Sequence, residues 1–164
     1  MNNLSTINRE HAHVWVLDPC KLRRTGHLLR YLSILSSAER RRMQRFHFEQ
    51  DRLAFLAAYG LARLALTSCA PSVPPEVWEF GHVEHGRPEI VAPRVKSVLR
   101  FNISHTPHLV ACLVTVQIDC GIDVETLDRA VDIGWFADKV LSPAEYARIL
   151  AVPAHAERDL SLRY

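Results

Sequence analysis

The sequence predicts a mixed domain of the α/β (α+β) class, with helices packed on small antiparallel sheets. Three observations predict it. A β-branched and aromatic run, His13-Val14-Trp15-Val16-Leu17, reads as a strand. Leu53, Leu56, Ala57, Gly60, Leu61 and Leu64 recur at spacings of three and four, one apolar stripe of a helix from about Glu49 to Thr67. Leu99 to Ser104 alternates and Leu109 to Val116 is almost continuously apolar, so Thr106-Pro107-His108 between them joins two strands. With a further strand through Gly121–Glu125 they form an antiparallel meander.

A chain of 164 residues makes one domain, or two small halves sharing a core. An apolar fraction of 48% excludes a disordered chain. A net charge of +2 and a pI of about 8.4 do not by themselves imply nucleic acid. Arginine supplies most of the positive charge, since lysine stands only at Lys21, Lys96 and Lys139. Arginine is the better bidentate partner for phosphate. Cys20, Cys69, Cys112 and Cys120 contain no C-x-x-C pair, which argues against a zinc site or redox dithiol. Cys112 and Cys120 read as small core residues. Met1 to Ser5 lacks the pattern of a secretory signal, and the apolar run from Leu53 to Leu66 is interrupted by Arg63 and too short for a bilayer. A reducing cytoplasm, with no membrane partner, is the expected setting.

The elements follow in order. The first strand ends at Asp18-Pro19. Ser36-Ser37-Ala38-Glu39 is a capping box, with Ser36 as N-cap and Glu39 at the third helical position. A basic helix follows through Arg40-Arg41-Arg42-Met43-Gln44-Arg45-Phe46, and its charges read as a solvated face. Gly60 on the next helix predicts close approach of another backbone. Pro71 to Pro75 is a loop. Val77-Trp78-Glu79-Phe80 is a short strand whose Trp78 and Phe80 belong to the core, and Glu84-His85-Gly86-Arg87-Pro88 is a turn. Ser142-Pro143-Ala144-Glu145 repeats the capping logic, with proline at the first helical position, and opens a helix to about Leu150.

The chemistry gathers in three motifs. In a strand, side chains two apart share a face. Along Gly121-Ile122-Asp123-Val124-Glu125, Ile122 and Val124 then face a core and Asp123 and Glu125 share the opposite face, their Cα atoms about 6 to 7 Å apart. Two such carboxylates repel unless a cation sits between them, and oxygen-only donors suit a hard cation such as Mg²⁺. The plainer reading of the pentapeptide alone is a charged outer face. The second motif, Phe101-Asn102-Ile103-Ser104-His105-Thr106, places His105 18 residues before Asp123. Its Phe101 and Ile103 go inward and Asn102 and Ser104 outward, with His105 at the strand's end, where a ligand can reach it. The third, Gly86-Arg87-Pro88, lies 17 residues before His105. Its proline stiffens the turn that presents Arg87.

This ordered set resembles the 4′-phosphopantetheinyl transferases of the surfactin-synthetase-activating type. Their motifs read Gly-Lys/Arg-Pro, then Phe-Asn-x-Ser-His, then Gly-Ile-Asp-x-Glu. The helix pair around Arg42, Phe46, Asp51 and Arg52 is similar to a family segment, as is Phe136-x-x-x-Val140-Leu141-Ser142-Pro143-x-Glu145. The resemblance implies two pseudo-symmetric halves, each a small antiparallel sheet with helices: residues 1–116, and residues 117–164 as an incomplete second half. It implies transfer of the phosphopantetheine arm of coenzyme A to a serine of an acyl or peptidyl carrier protein, with release of adenosine 3′,5′-bisphosphate. It implies that Asp123 and Glu125 are the catalytic, metal-holding carboxylates for Mg²⁺. Arg42, Arg52, Arg87, Pro88, Ser104 and His105 are the implied coenzyme A set, His105 and Ser104 at the 3′-phosphate.

Family members carry an aromatic residue and Lys-Glu-Ala on a long helix shortly beyond the position of Tyr164. The sequence ends with Leu162-Arg163-Tyr164. Neither Glu145 nor Glu157 takes the role of that glutamate. A non-catalytic module that binds coenzyme A or a carrier protein is therefore the alternative. The remaining candidates read as structure. His82 with His85, and His105 with His108, lack the further ligands of a zinc site. Asp119 lies in a turn, and Asp128 and Asp132 start loops or helices. The arginine run lacks the aromatic interleaving of a nucleic-acid binder.

Overall fold

The computed structural model describes residues 7–82, 88–95, 97–126 and 141–151. The chain divides into two compact units, Met1–Glu125 and Thr126–Tyr164. Gly86 and Arg87, together with Glu84, His85, Asp128, Asp132, Phe136, Val140, Glu157 and Leu162 to Tyr164, lie outside the described residues.

In the first unit, strand β1 (His13–Leu17) leads into helices α1 (Pro19–Arg24), α2 (Leu28–Ile34), α3 (Ser37–Gln44) and α4 (Glu49–Cys69). A 3₁₀ turn (Pro75–Val77) and strands β2 (Glu79–His82), β3 (Pro88–Ala92), β4 (Leu99–His105) and β5 (Val110–Val116) follow. Helices with antiparallel sheets are the expected class. β1, β5 and β4 form one sheet in that order, and β2 and β3 form a separate pair.

The third strand of the expected meander does not form. β5 is central, and Cys112 lies opposite Trp15 of β1 on one side and Ile103 of β4 on the other. Both edges of β5 are therefore taken before the chain reaches Gly121. The chain turns instead at Gln117, a left-handed residue with φ 61°, whose N–H donates to Val98 O at 2.8 Å. Gly121–Glu125 carries no strand ladder.

α4 lies across the inner face of the three-stranded sheet, where Phe101, Val110, Cys112 and Val114 are buried. Its buried residues run unbroken from Ala54 to Arg63, wider than one stripe. The reason is that α1, α2, α3 and the 3₁₀ turn pack on the sides the sheet leaves free. Gly60 meets a side chain rather than a backbone: a Cβ there would lie 2.3 Å from Tyr31 Cδ1 of α2.

Local chemistry explains the other boundaries. α3 begins with the expected capping box, in which Glu39 N–H donates to Ser36 Oγ at 3.2 Å and Ser36 N–H to Glu39 Oε2 at 2.8 Å. Asp18-Pro19 ends β1 and also starts α1, because Asp18 Oδ1 accepts from Cys20 N–H at 2.9 Å and Pro19 occupies the first helical position. Trp78 is buried and donates from Nε1 to Thr67 Oγ1 at 3.0 Å. Its strand starts at Glu79, not Val77, since Pro75–Val77 forms the 3₁₀ turn. Pro88, expected in a turn, is the first residue of β3, opposite His82. A strand's first position tolerates the missing N–H. Cys112 is buried and Cys120 half-buried.

In the second unit, α5 (Pro143–Leu150) carries the expected cap. Glu145 Oε2 accepts from Ser142 Oγ–H and Ser142 N–H, each at 2.7 Å. The Ser142 hydroxyl, then its backbone N–H, hold the Glu145 carboxyl below the ordinary carboxylate range. Among the described residues no helix is long and apolar enough to cross a membrane.

Candidate active site

β4 turns Asn102 and Ser104 away from the core face that buries Phe101. Both outward side chains take hold of the acidic segment. Asn102 Oδ1 accepts from Ile122 N–H at 3.1 Å, and Ser104 Oγ accepts from Val124 N–H at 3.0 Å. The Ser104 hydroxyl then donates to Asp123 Oδ1 at 2.8 Å. Side-chain oxygens of β4 thus stand where ladder carbonyls would stand in a paired strand. The approach is tied as well: Thr115 Oγ1–H donates to Ile118 O at 2.6 Å, and Arg100 Nε lies 3.5 Å from Asp119 Oδ1. The side-chain alternation follows the expected pattern although the ladder is absent. Ile122 and Val124 are half-buried, while Asp123 and Glu125 are exposed.

His105 ends β4, opposite Val110, and is exposed. Its place follows from the turn after it, where Thr106 N–H donates to Leu109 O at 2.8 Å. Ser104, His105, Asp123 and Glu125 therefore gather on and beside one strand.

Arg42 and Arg52 stand on helices α3 and α4 rather than on the sheet. Arg42 on α3 donates from Nη1 to Tyr59 OH at 3.3 Å, and its guanidinium sits 5.7 Å from the Phe55 ring centroid. Phe55 and Tyr59 stack at 4.4 Å, one turn apart on α4. Tyr59 then meets Phe80 at 6.2 Å, and Phe80 meets Phe101 at 5.0 Å. An aromatic row thus connects the Arg42 helix to β4. Burial holds the Tyr59 hydroxyl pKa above its ordinary value, with Arg42 opposing that shift. Arg52 braces the connection between α3 and α4: its Nη1 donates to Phe46 O at 2.7 Å and His47 O at 3.1 Å. Pro88 stands on the β2–β3 pair.

Two residues of this architecture have no role assigned from the sequence. Asn102 shares the alternation of Ser104, and two outward polar residues on a strand answering two alternating acids was the available signal. Arg63 stood only as an interruption of an apolar run. It is fully buried, and a charge in such a run signals a buried partner.

Asp123 and Glu125 offer exposed carboxylate oxygens only. That donor set fits a hard divalent cation that keeps several waters and does not suit a soft one. Among the described residues no group of three or more His, Cys, Asp and Glu side chains converges on a metal position. An open cavity of about 500 Å³ lies elsewhere, between α1 and the start of α4, lined by Arg24, Phe48 and Leu53 among others, and it includes none of the expected site residues.

A sequence model of the family described as 4′-phosphopantetheinyl transferase, N-terminal, matches residues 24–117, more than half of the chain. The chain belongs to this family. The matched region runs from the end of α1 to the residue after β5, so it contains Arg42, Arg52, Arg87, Pro88, Ser104 and His105 and stops short of the acidic segment. The 4′-phosphopantetheinyl transferase HetI of Nostoc sp. (strain PCC 7120) is 29% identical over 161 residues. That alignment spans 97% of this chain and 66% of the relative, so the chain covers just under two thirds of the relative's length. Among solved structures, a holo-(acyl-carrier-protein) synthase from Bacillus anthracis str. Ames, in complex with CoA (3′,5′-ADP), matches with a TM-score of 0.54 at 15% identity. The match covers 64% of this chain and 93% of the synthase, and it shows a shared fold.

Proposed function

We propose that this protein transfers the 4′-phosphopantetheine arm of coenzyme A to a serine of an acyl or peptidyl carrier protein, with Mg²⁺. One observation carries the proposal: a transferase-family region is followed directly by two exposed acids fastened to the Asn-Ile-Ser-His run of β4. The similarity to HetI along nearly the whole chain supports it, as does a shared fold with a synthase solved with CoA (3′,5′-ADP). The four free cysteines fit a reducing cytoplasm.

In the transfer, the serine hydroxyl oxygen bonds to the phosphorus that carries the pantetheine arm. The bond from that phosphorus to the adenosine 3′,5′-bisphosphate breaks, and the serine proton leaves to a base. Asp123 and Glu125 would hold Mg²⁺, which neutralises charge on the reacting diphosphate. His105 and Arg87 contact coenzyme A, His105 at the 3′-phosphate. Arg42 and Arg52 add positive charge toward the adenosine phosphates, and Pro88 stiffens the approach of Arg87.

The test incubates the protein with coenzyme A, Mg²⁺ and several apo carrier proteins, and weighs each carrier by mass spectrometry. A phosphopantetheine added to a carrier serine is the expected result. Coenzyme A binding with no mass added to any carrier would replace this reading with that of a binding module.

A further inference from the structure

The bonds of Ser104 conflict with a simple place at a phosphate. A hydroxyl has one proton to donate and two lone pairs. Ser104 gives its proton to Asp123 Oδ1 and accepts from Val124 N–H. A phosphate needs donors, and the Ser104 hydroxyl has none left while these bonds stand. Asn102 Oδ1 is likewise engaged, by Ile122 N–H.

We infer that Asn102 and Ser104 are positioning residues for the acidic pair, holding the segment in register on β4 and orienting the Asp123 carboxylate. The inference rests on the proposal that Asp123 and Glu125 hold the cation. Register is the reason that two such contacts are required. Side chains alternate along the segment, so a slip of one residue would present Ile122 and Val124 where Asp123 and Glu125 belong. A strand ladder would fix the register with backbone bonds, and Gly121–Glu125 carries no such ladder. The two contacts at Ile122 and Val124 are spaced two residues apart, as are Asn102 and Ser104. A slip of one residue would therefore turn both N–H groups away and break both contacts at once. The third bond, from Ser104 to Asp123, fixes the carboxylate itself. Partners that orient ligating carboxylates in this way typically contribute about 10- to 100-fold to metal affinity.

The test titrates the full chain with Mn²⁺, a paramagnetic stand-in for Mg²⁺, without coenzyme A. Separately, it measures coenzyme A binding in chelator. Ser104→Ala and Asn102→Ala should each weaken Mn²⁺ binding by about 10-fold, with metal-free coenzyme A affinity unchanged. Ser104→Thr, which keeps the hydroxyl, should restore Mn²⁺ binding and shows that the alanine effect is not general misfolding. Loss of metal-free coenzyme A binding in Ser104→Ala, with or without loss of Mn²⁺, would overturn the inference and return Ser104 to the phosphate. Mn²⁺ binding unaltered in Ser104→Ala and Asn102→Ala but weakened in Asp123→Ala would overturn the inference and leave the metal assignment standing. Mn²⁺ binding unaltered in Asp123→Ala and Glu125→Ala would remove the metal assignment itself.

Discussion

Arg63 Nη2 lies 2.9 Å from both carboxylate oxygens of Glu39, joining the middle of α4 to the first turn of α3 inside the core. Glu39 serves twice, since its Oε2 also accepts the N–H of the cap residue Ser36. Arg63 donates from Nη1 to Pro75 O at 2.9 Å, and its guanidinium lies 5.0 Å from the Phe80 centroid, while its Nε has no hydrogen-bond partner among the described residues. Removing one member of a buried ion pair strands the other charge, at about 3–5 kcal/mol. Glu39→Ala should therefore lower stability by about that amount in urea titration. The double variant Glu39→Ala, Arg63→Met should be more stable than Glu39→Ala alone. Equal stability of the two would contradict the pairing.

Gly60→Ala sets two effects against each other. Alanine gains about 1 kcal/mol of helix propensity, yet its Cβ would come within 2.3 Å of the Tyr31 ring, which is buried in the core. Overpacking of that kind costs about 1–3 kcal/mol. A lower melting temperature is expected, and the same substitution should stabilise a chain in which Tyr31 is already alanine. Stabilisation in the presence of Tyr31 would mean that the ring moves freely.

Thiol reactivity should follow burial. Burial pushes the Cys69 thiol up to about 11 and, with smaller contributions from Cys120 and Cys69, the Cys112 thiol up to about 12, from an ordinary 9.0. Their folded pKa values exceed the unfolded ones, so the unfolded chain loses these protons first. Stability from the two neutral thiols is complete below pH 9.0 and declines as pH rises toward 11 and 12. At neutral pH, exposed Cys20 should react with a maleimide while Cys112 stays unlabelled until denaturant is added. Peptide mapping by mass reads the order, and early labelling of Cys112 would contradict the packing.

Gln117 turns the chain out of β5 in the left-handed region. A non-glycine residue there costs about 1–2 kcal/mol, and a β-branched one costs more. Gln117→Gly should be at least as stable as the natural protein, and Gln117→Val less stable by about 1 kcal/mol or more. Denaturant midpoints check both.

These residues also mark what could be read from the sequence. The capping boxes at Ser36–Glu39 and Ser142–Glu145 were legible because each is complete within four residues. The same holds for the alternation of Ile122, Asp123, Val124 and Glu125, which depends on local chain geometry. What lay beyond the sequence depends on distant partners. Nothing near Gly121 says that β1 occupies the free edge of β5, so the acidic segment was expected in a ladder that does not form. Nothing near Gly60 says that it faces Tyr31, 29 positions earlier. Nothing near Arg52 says that its Nη1 donates to Phe46 O and His47 O, a brace set by how the chain passes from α3 to α4.

The most direct measurement is the rate of phosphopantetheine gain by a carrier protein across Mg²⁺ concentrations, for the natural protein, Asp123→Ala and Glu125→Ala. The account predicts Mg²⁺-dependent transfer by the natural protein and a loss of about 100-fold or more in each variant. Transfer by Asp123→Ala at the natural rate, or transfer that ignores Mg²⁺, would contradict it.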